Sequence, residues 1–332
     1  MKKSIYFLLF ASLVYTSCKV DDEFEGPSLV DLYGEFTLVT PLDITNRDVN
    51  FSTGESTTFT AAFSKNVDWT IEVKGLQSGA VKRFNGFSNV IDATNATWNG
   101  TTTDLPMFRA EDCAVQLSIV GVADTLHDTL TVVGSKVYEG FVAADFENGW
   151  NSGWNTYVQS GANMSFAVQT NNNAAQGGRY YEMAGAVSWD WLIGLVNMPG
   201  SAYGSTYYPL TSNPSNLYFN TMLYKPAGID NGLVLFQIKE DDNEDGMYST
   251  GSEDMYSIQV SLTANGWSKI SQRYDNIPTL VNGAASGPIG NGLHEPNKII
   301  EVSVLFLANP TSGYSKTWMD YMIFTEGSAL EP

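Results

Sequence analysis

The chain has 332 residues, with 17 Lys and Arg against 36 Asp and Glu, and a formal net charge of −19. Such a chain repels phosphate backbones, which speaks against a nucleic-acid partner, and it offers no basic patch to anionic lipid headgroups. Charged residues make up only 16% of it, below the usual quarter, so surface polarity falls to Asn, Ser, Thr and Gly.

The first element is a targeting segment. Lys2 and Lys3 precede the apolar run Ile5–Val14, the layout of a secretion signal, and the run is too short for a spanning helix of about 20 residues. Residues 1–17 are therefore expected to be removed, which takes the net charge from −19 to −21 as Lys2 and Lys3 leave. Val14-Tyr15-Thr16-Ser17 before Cys18 resembles a bacterial lipobox, imperfect at Tyr15 and Ser17. In that resemblance Cys18 is the first mature residue and carries acyl chains. At about 0.8 kcal/mol per buried methylene, two or more chains hold a protein on a membrane almost permanently. Lys19-Val20-Asp21-Asp22-Glu23 looks like the export signal that sends lipoproteins of Bacteroidetes-type bacteria to the outer face of the outer membrane. Residues 18–30 form an acidic tether, closed by Gly26-Pro27-Ser28. With Cys18 spent on lipid, Cys113 has no disulfide partner and reads as a small core residue.

From there the chain reads as all-β. In residues 31–135, "GEFTLVTP", "VQLSIVGV" and "DTLTVVG" are strand-like, and "TTFTAAF" and "VDWTIEV" alternate at period two around Ser64-Lys65-Asn66, a hairpin signal. That spacing predicts an immunoglobulin-like sandwich acting as a spacer. A boundary falls near Gly134-Ser135-Lys136. In residues 136–328 the strands lengthen, with "NLYFNTMLY", "GLVLFQI", "IIEVSVLFLAN" and "TWMDYMIFT", and the pattern predicts one larger jelly-roll sandwich.

Catalytic motifs are missing. There are two histidines, His127 in a strand-like run and His294 in a Gly/Asn/Pro loop, and Pro296 breaks the helix that a zinc-binding HExxH would need. Neither a G-x-S-x-G elbow nor a phosphate-binding loop occurs, so the chain is not expected to be an enzyme.

Two constellations remain. Asp320 lies in the apolar run "TWMDYMIFT", where a carboxylate needs a cation, a backbone amide or Lys316 for a partner. Asp145 and Glu147 in "ADFENGW" are two apart, on one face if the segment is a strand. "DFENGW", "NNNAAQGGRYYEM" and "WMDYMIF" together resemble carbohydrate-binding modules of the galactose-binding-like jelly-roll type. That resemblance implies a structural calcium held by Glu147 and Asp320, with Asp145 behind them. A second acidic run, residues 239–254, places Asp241, Asn243, Asp245 and Gly246 as the opening of a calcium loop. Its closing position holds Ser252 rather than Glu, with Glu253 one step late.

The second constellation is aromatic. Rings exposed on loops attract the C–H faces of sugars, and nearby polar groups hold the hydroxyls. Trp154, Trp189, Asp190, Trp191, Tyr207 and Tyr208 sit among Gly and Ser and are the expected carbohydrate contacts, whereas Trp69, Trp267 and Trp318 are assigned to core and Trp150 to packing. The whole arrangement resembles a surface glycan-binding lipoprotein of a Bacteroidetes polysaccharide-uptake system. It implies capture of a polysaccharide or oligosaccharide beside an outer-membrane uptake complex, without catalysis. The alternatives are a surface adhesin gripping another protein, or a carbohydrate-active enzyme.

Overall fold

The computed structural model describes residues 34–188, 192–229, 232–281, 283–309 and 311–332. Cys18, Trp189, Asp190 and Trp191 lie outside them. Apart from short 3-10 turns, all regular structure among the described residues is β-strand, and none of their helices is long and apolar enough to cross a membrane.

The N-terminal lobe comprises β1 (Leu38–Ile44), β2 (Asp48–Asn50), β3 (Thr57–Gly75), β4 (Val81–Ile91), β5 (Thr97–Trp98), β6 (Glu111–Ile119) and β7 (Leu126–Gly134). They join in the order β1-β3-β6-β7-β2, with β4 and β5 also on β3 and with β2 parallel to β7. The hairpin expected at Ser64-Lys65-Asn66 is not there. β3 runs unbroken for 19 residues, pairing with β1 through Phe59–Phe63 and with β6 through Trp69–Gly75. One strand thus pairs with β1 by its first half and with β6 by its second, and the polar trio lies between the two stretches. There the ladder to β4 slips, and Ser64 and Lys65 donate instead to the carbonyls of Glu35 and Gly34. Period-two alternation holds on either side, so Phe59, Trp69, Ile71 and Val73 point into one core with Trp98, Cys113 and Val115. Each such side chain contributes about 1.5–3 kcal/mol by leaving water.

Burial pushes the Cys113 thiol up to about 12, so the reactive thiolate is absent near neutrality. Iodoacetamide at pH 8 should leave Cys113 unmodified in the native chain and alkylate it in 6 M guanidinium, as peptide mass spectrometry would show. Full modification of the native chain would contradict the packing.

The C-terminal lobe comprises β8 (Phe141–Ala144), β9 (Asn155–Val158), β10 (Asn163–Thr170), β11 (Arg179–Ala186), β12 (Leu192–Pro199), β13 (Leu217–Lys225), β14 (Gly232–Glu240), β15 (Met255–Leu262), β16 (Gly266–Arg273), β17 (Leu280–Val281), β18 (Ala284–Ala285), β19 (Ile299–Leu307) and β20 (Tyr314–Glu326). A six-stranded sheet, β10-β11-β20-β13-β16 with β8 on β20, faces a five-stranded sheet, β15-β14-β19-β12-β9. Between them lies a core that includes Phe219, Phe236, Val304, Phe306 and Phe324, as a jelly-roll sandwich requires.

The two lobes touch on the outer side of the six-stranded sheet. Met107 N donates to Ala175 O (2.7 Å) and Thr102 N to Pro332 O (2.8 Å), and the Arg109 guanidinium reaches the Asn172 and Ala174 carbonyls. A small apolar cluster with Met107, Met222, Tyr321 and Leu330 fills the contact. That sheet's outer surface is therefore partly covered, while the outer surface of the five-stranded sheet is not involved in these contacts.

Candidate functional site

Several expected site residues prove to be structural. Trp154 and Tyr208 are 7% and 2% exposed, which corrects their assignment as sugar contacts. Trp154 packs edge-on against Phe146 and Trp150 and donates to Tyr203 Oη, and Tyr208 donates to Met198 O. Their Gly and Ser neighbours form the loop, but the rings turn inward because the lobe's core needs large apolar volume. Conversely, Trp267 and Trp318 are not core. They lie half-exposed on the outer face of the six-stranded sheet, in one cross-strand row with Tyr224, whose ring stacks on Trp318 at 4.0 Å. Trp150 packs along one edge but leaves 38% of its surface open.

The first acidic set also differs from expectation. β8 ends at Ala144 and Phe146 takes a left-handed φ of 59°, so Asp145 and Glu147 sit in a turn rather than on one strand face. Asp145 Oδ1 accepts from Glu147 N, while Glu147 Oε1 accepts from Gly178 N (2.9 Å) and Arg179 N (2.8 Å). Gly177 has φ +57°, and a Cβ there would run into the Glu147 carboxyl. Asp320 is fully buried and accepts from Gln176 N (2.9 Å) and Tyr321 N (2.8 Å), the amide-capping alternative. Burial, with Glu147 nearby, raises its pKa well above the usual carboxylate range. Glu147 and Asp320 therefore anchor one loop, residues 176–179, from two sides. Among the described residues, Asp145, Glu147 and Asp320 are not one of the groups that bring three side-chain ligand oxygens within 4.8 Å, so a calcium at Glu147 and Asp320 would need loop carbonyls to complete its shell.

The second acidic run does converge. Asp241 accepts from Asp245 N and Gly246 N, Asn243 Oδ1 from Asp245 N, and Asp245 Oδ1 from Met247 N, which winds residues 241–247 into a tight loop with Gly246 at φ +85°. Asp241, Asp245 and Glu253 bring carboxylate oxygens within 4.8 Å of one another. Glu253 thus takes the closing position despite its one-residue offset, and its Oε1 is buried without a hydrogen-bond partner. Asn243 is exposed and shapes the turn. Tyr207 donates to Asp241 Oδ2 (2.8 Å), and burial with the Asp241 carboxylate pushes its hydroxyl up to about 12. Tyr207 therefore ties the 200–208 loop to the acidic loop and is held by its hydroxyl.

Next to this loop lies a surface that the sequence reading passed over. On the outer face of the five-stranded sheet, ladder partners place Asn155, Asn197, Ser303 and Gln237 in one row and Pro199, Glu301 and Lys239 in the next. The side chains are already linked. Asn197 Nδ2 donates to Asn155 Oδ1 (3.0 Å), Ser303 Oγ to Asn197 Oδ1 (2.6 Å), and Lys239 Nζ to Glu301 Oε1 (2.5 Å). Lys239 also lies 5.5 Å over the Tyr248 ring. On the other side of the polar row runs an apolar one, Leu235, Leu305 and Leu195, ending at the exposed Tyr157. A cleft of about 560 Å³ opens at the acidic-loop end, lined by Lys239, Glu301, Tyr248, Met247 and Thr206 among others. A signal for it existed: "LFQIKE" puts Gln237 and Lys239 at alternate positions, the outward face of a strand.

No protein-family model matches the sequence, and no curated protein matches it. Solved structures similar to it include carbohydrate-binding modules. One is the family 11 module from Clostridium thermocellum in complex with a β-1,3-1,4-mixed-linked tetrasaccharide, at 14% identity over 56% of this chain and 95% of that chain, TM-score 0.40. Another is a carbohydrate-binding module of the β-sandwich superfamily, at 11% identity over 89% and 99%, TM-score 0.38. A third is the xylan-binding CBM22-1 domain from Paenibacillus barcinonensis, at 14% identity over 58% and 99%, TM-score 0.33.

Proposed function

We propose that the chain captures an extracellular polysaccharide or oligosaccharide without cleaving it, and that the outer face of the five-stranded sheet is where the glycan lies. The observation that carries this reading is the row of linked amides, hydroxyl and ion pair running across β9, β12, β19 and β14 beside an apolar strip. A sugar chain is amphipathic in the same sense, with hydroxyl edges and C–H faces. Donors and acceptors held by their neighbours lose little side-chain freedom on binding. The Tyr248 and Tyr157 rings at the borders can meet sugar faces. The cleft volume is within the range of small-ligand sites, and an open sheet face lets a longer chain continue beyond it.

The same reading sets the protein on the outer membrane through acyl chains on Cys18, facing outward beside an uptake complex, with the N-terminal lobe as spacer. What supports it is the sequence of residues 1–23. It also takes calcium as a structural ion at Asp241, Asp245 and Glu253, with Asn243 shaping the turn. The buried, unpartnered Glu253 Oε1 supports that placement.

Affinity electrophoresis against a panel of soluble polysaccharides tests the capture. Reproducible retardation by one glycan class is the expected result, without reducing-sugar release. A blank panel together with a specifically bound protein partner would overturn the reading in favour of adhesion, and sugar release would favour an enzyme.

A further inference from the structure

Beside the 241–247 loop is a second acidic group that no motif announces. Glu240 ends β14, Asp242 follows it by two residues, and Glu295 comes from the loop before β19; one carboxylate oxygen of each lies within 4.8 Å of the others. We propose that Glu240, Asp242 and Glu295 bind a divalent, oxygen-preferring cation of calcium size, at a site distinct from Asp241, Asp245 and Glu253.

The oxygens are held as ligands are held. Glu240 is fully buried, and its Oε1 accepts from Tyr274 Oη (2.6 Å) and Glu295 N (2.7 Å), yet its Oε2 is buried with no partner. Asp242 repeats the arrangement: Oδ2 accepts from Asp254 N and Asn291 N, both at 3.1 Å, and Oδ1 is buried with no partner. In these two carboxylates the protein fixes one oxygen and leaves the other bare, while Glu295 has Oε1 on Lys298 and Oε2 accepting from Asn291 Nδ2 (2.6 Å). Buried anionic oxygens do not stay bare without cost, and each lacks a donor from the chain. Oxygens around a calcium ion lie about 2.3–2.6 Å from it, so ligand oxygens fall within about 5 Å of each other, as these do.

The surroundings hold the frame and do not neutralise it. Asp254 is fully buried, and its two oxygens accept from Ile289 N, Gly290 N and Gly292 N, which fixes the turn that brings Asn291 N to Asp242. A Cβ at Gly290 would run into the Asp242 carboxyl. Lys298 is engaged by Glu295 (3.0 Å) and Glu244 (3.1 Å), and it reaches Asp242 only through the backbone carbonyl. One cation thus faces four buried or half-buried carboxylates, Glu240, Asp242, Asp254 and Glu295. An ion here would fix both ends of the 241–254 loop, since Glu240 precedes it and the Asp242 cradle spans Asp254 and Asn291.

A proton shared between Glu240 and Asp242 is the competing way to satisfy the bare oxygens, and the test separates the two. Thermal unfolding of the purified chain in EDTA and in 2 mM CaCl₂ is compared for wild type, Asp242→Asn, Glu240→Gln and Asp245→Asn. Terbium luminescence, excited through the tyrosines, is read in parallel, because Tyr274 touches Glu240. We expect calcium to raise the wild-type midpoint by about 5 °C or more. Asp245→Asn should keep much of that shift and the part of the terbium signal sensitised by Tyr274, whereas Glu240→Gln and Asp242→Asn should lose that part and keep only what Tyr207 sensitises beside Asp241. Glu240→Gln supplies the donor that a shared proton would, so it stays folded even if Asp242→Asn does not. The proposal is overturned if calcium leaves the wild-type midpoint unchanged. It is equally overturned if Glu240→Gln retains the full calcium response.

Discussion

Glu111→Ala should destabilise the N-terminal lobe by about 3–5 kcal/mol. Glu111 is only 3% exposed and accepts four hydrogen bonds, from Gln77 N (2.7 Å), Ser78 N (2.9 Å), Ser78 Oγ (2.5 Å) and Arg109 N (3.1 Å). It thereby closes the turn between β3 and β4 onto β6 and fixes the backbone at Arg109, whose guanidinium grips the other lobe. Alanine strands three backbone amides, each costing about 1–3 kcal/mol when buried and unpaired, and only part of that is recovered by water entering the gap. Gly75 packs so closely that a Cβ there would meet the Glu111 carboxyl, so the carboxylate fills its space and truncation leaves a gap. Glu111→Gln makes the argument sharper. It keeps the shape but turns one acceptor into a donor aimed at donors, so a loss of about 1–3 kcal/mol is expected from an isosteric change. Urea midpoints for the three proteins measure both numbers; a Glu111→Gln chain as stable as wild type would mean that the amides find partners elsewhere.

Glu111 also shows where the sequence stops informing. Strand identity, the all-β class and the inward face of β3 are local: they follow from alternation of apolar residues within a dozen positions, and Phe59, Trp69, Ile71 and Val73 lie where that alternation puts them. The trio Ser64-Lys65-Asn66 has the composition of a turn, yet β3 continues through it, because its two halves are claimed by different partners, β1 and β6. Loop-forming composition predicted the 241–246 turn correctly, since Asp241, Asn243 and Gly246 make their hydrogen bonds to residues two to five positions away. The motif's spacing put Ser252 at the closing position with Glu253 one step late, and it is Glu253 whose carboxylate meets those of Asp241 and Asp245 across an irregular loop. Ring orientation was the least legible feature. Trp154 lies between Gly153 and Asn155 yet turns in, Trp318 lies beside Met319 in an apolar run yet turns out, and only the sandwich decides both. The row Asn155, Asn197, Ser303 and Gln237 draws on four strands spread over 149 positions of the chain, from 155 to 303, and no local window contains it.

The row beside it, Pro199, Glu301 and Lys239, carries the second large effect. Lys239→Met should weaken glycan affinity about 10- to 100-fold, the equivalent of the 1.5–3 kcal/mol typical of a hydrogen bond to a charged group. Methionine keeps the apolar stem on the sheet and against Tyr248, so what is removed is the ammonium at the mouth of the cleft. Glu301 loses its cation but keeps the Ser303 hydroxyl at 3.2 Å and is half-buried, so the unfolding midpoint should move by only a few degrees. Asn197→Ala probes the same ribbon two strands away by releasing both the Asn155 amide and the Ser303 hydroxyl, and it should act in the same direction. Trp267→Ala is the control, because Trp267 is half-exposed on the opposite sheet and should leave affinity unchanged whatever it does to stability. The two faces thereby give opposite outcomes in one titration series. If Trp267→Ala abolishes binding while Lys239→Met and Asn197→Ala do not, the glycan lies along the Trp267, Tyr224 and Trp318 row, and the polar ribbon is only the outside of a sheet.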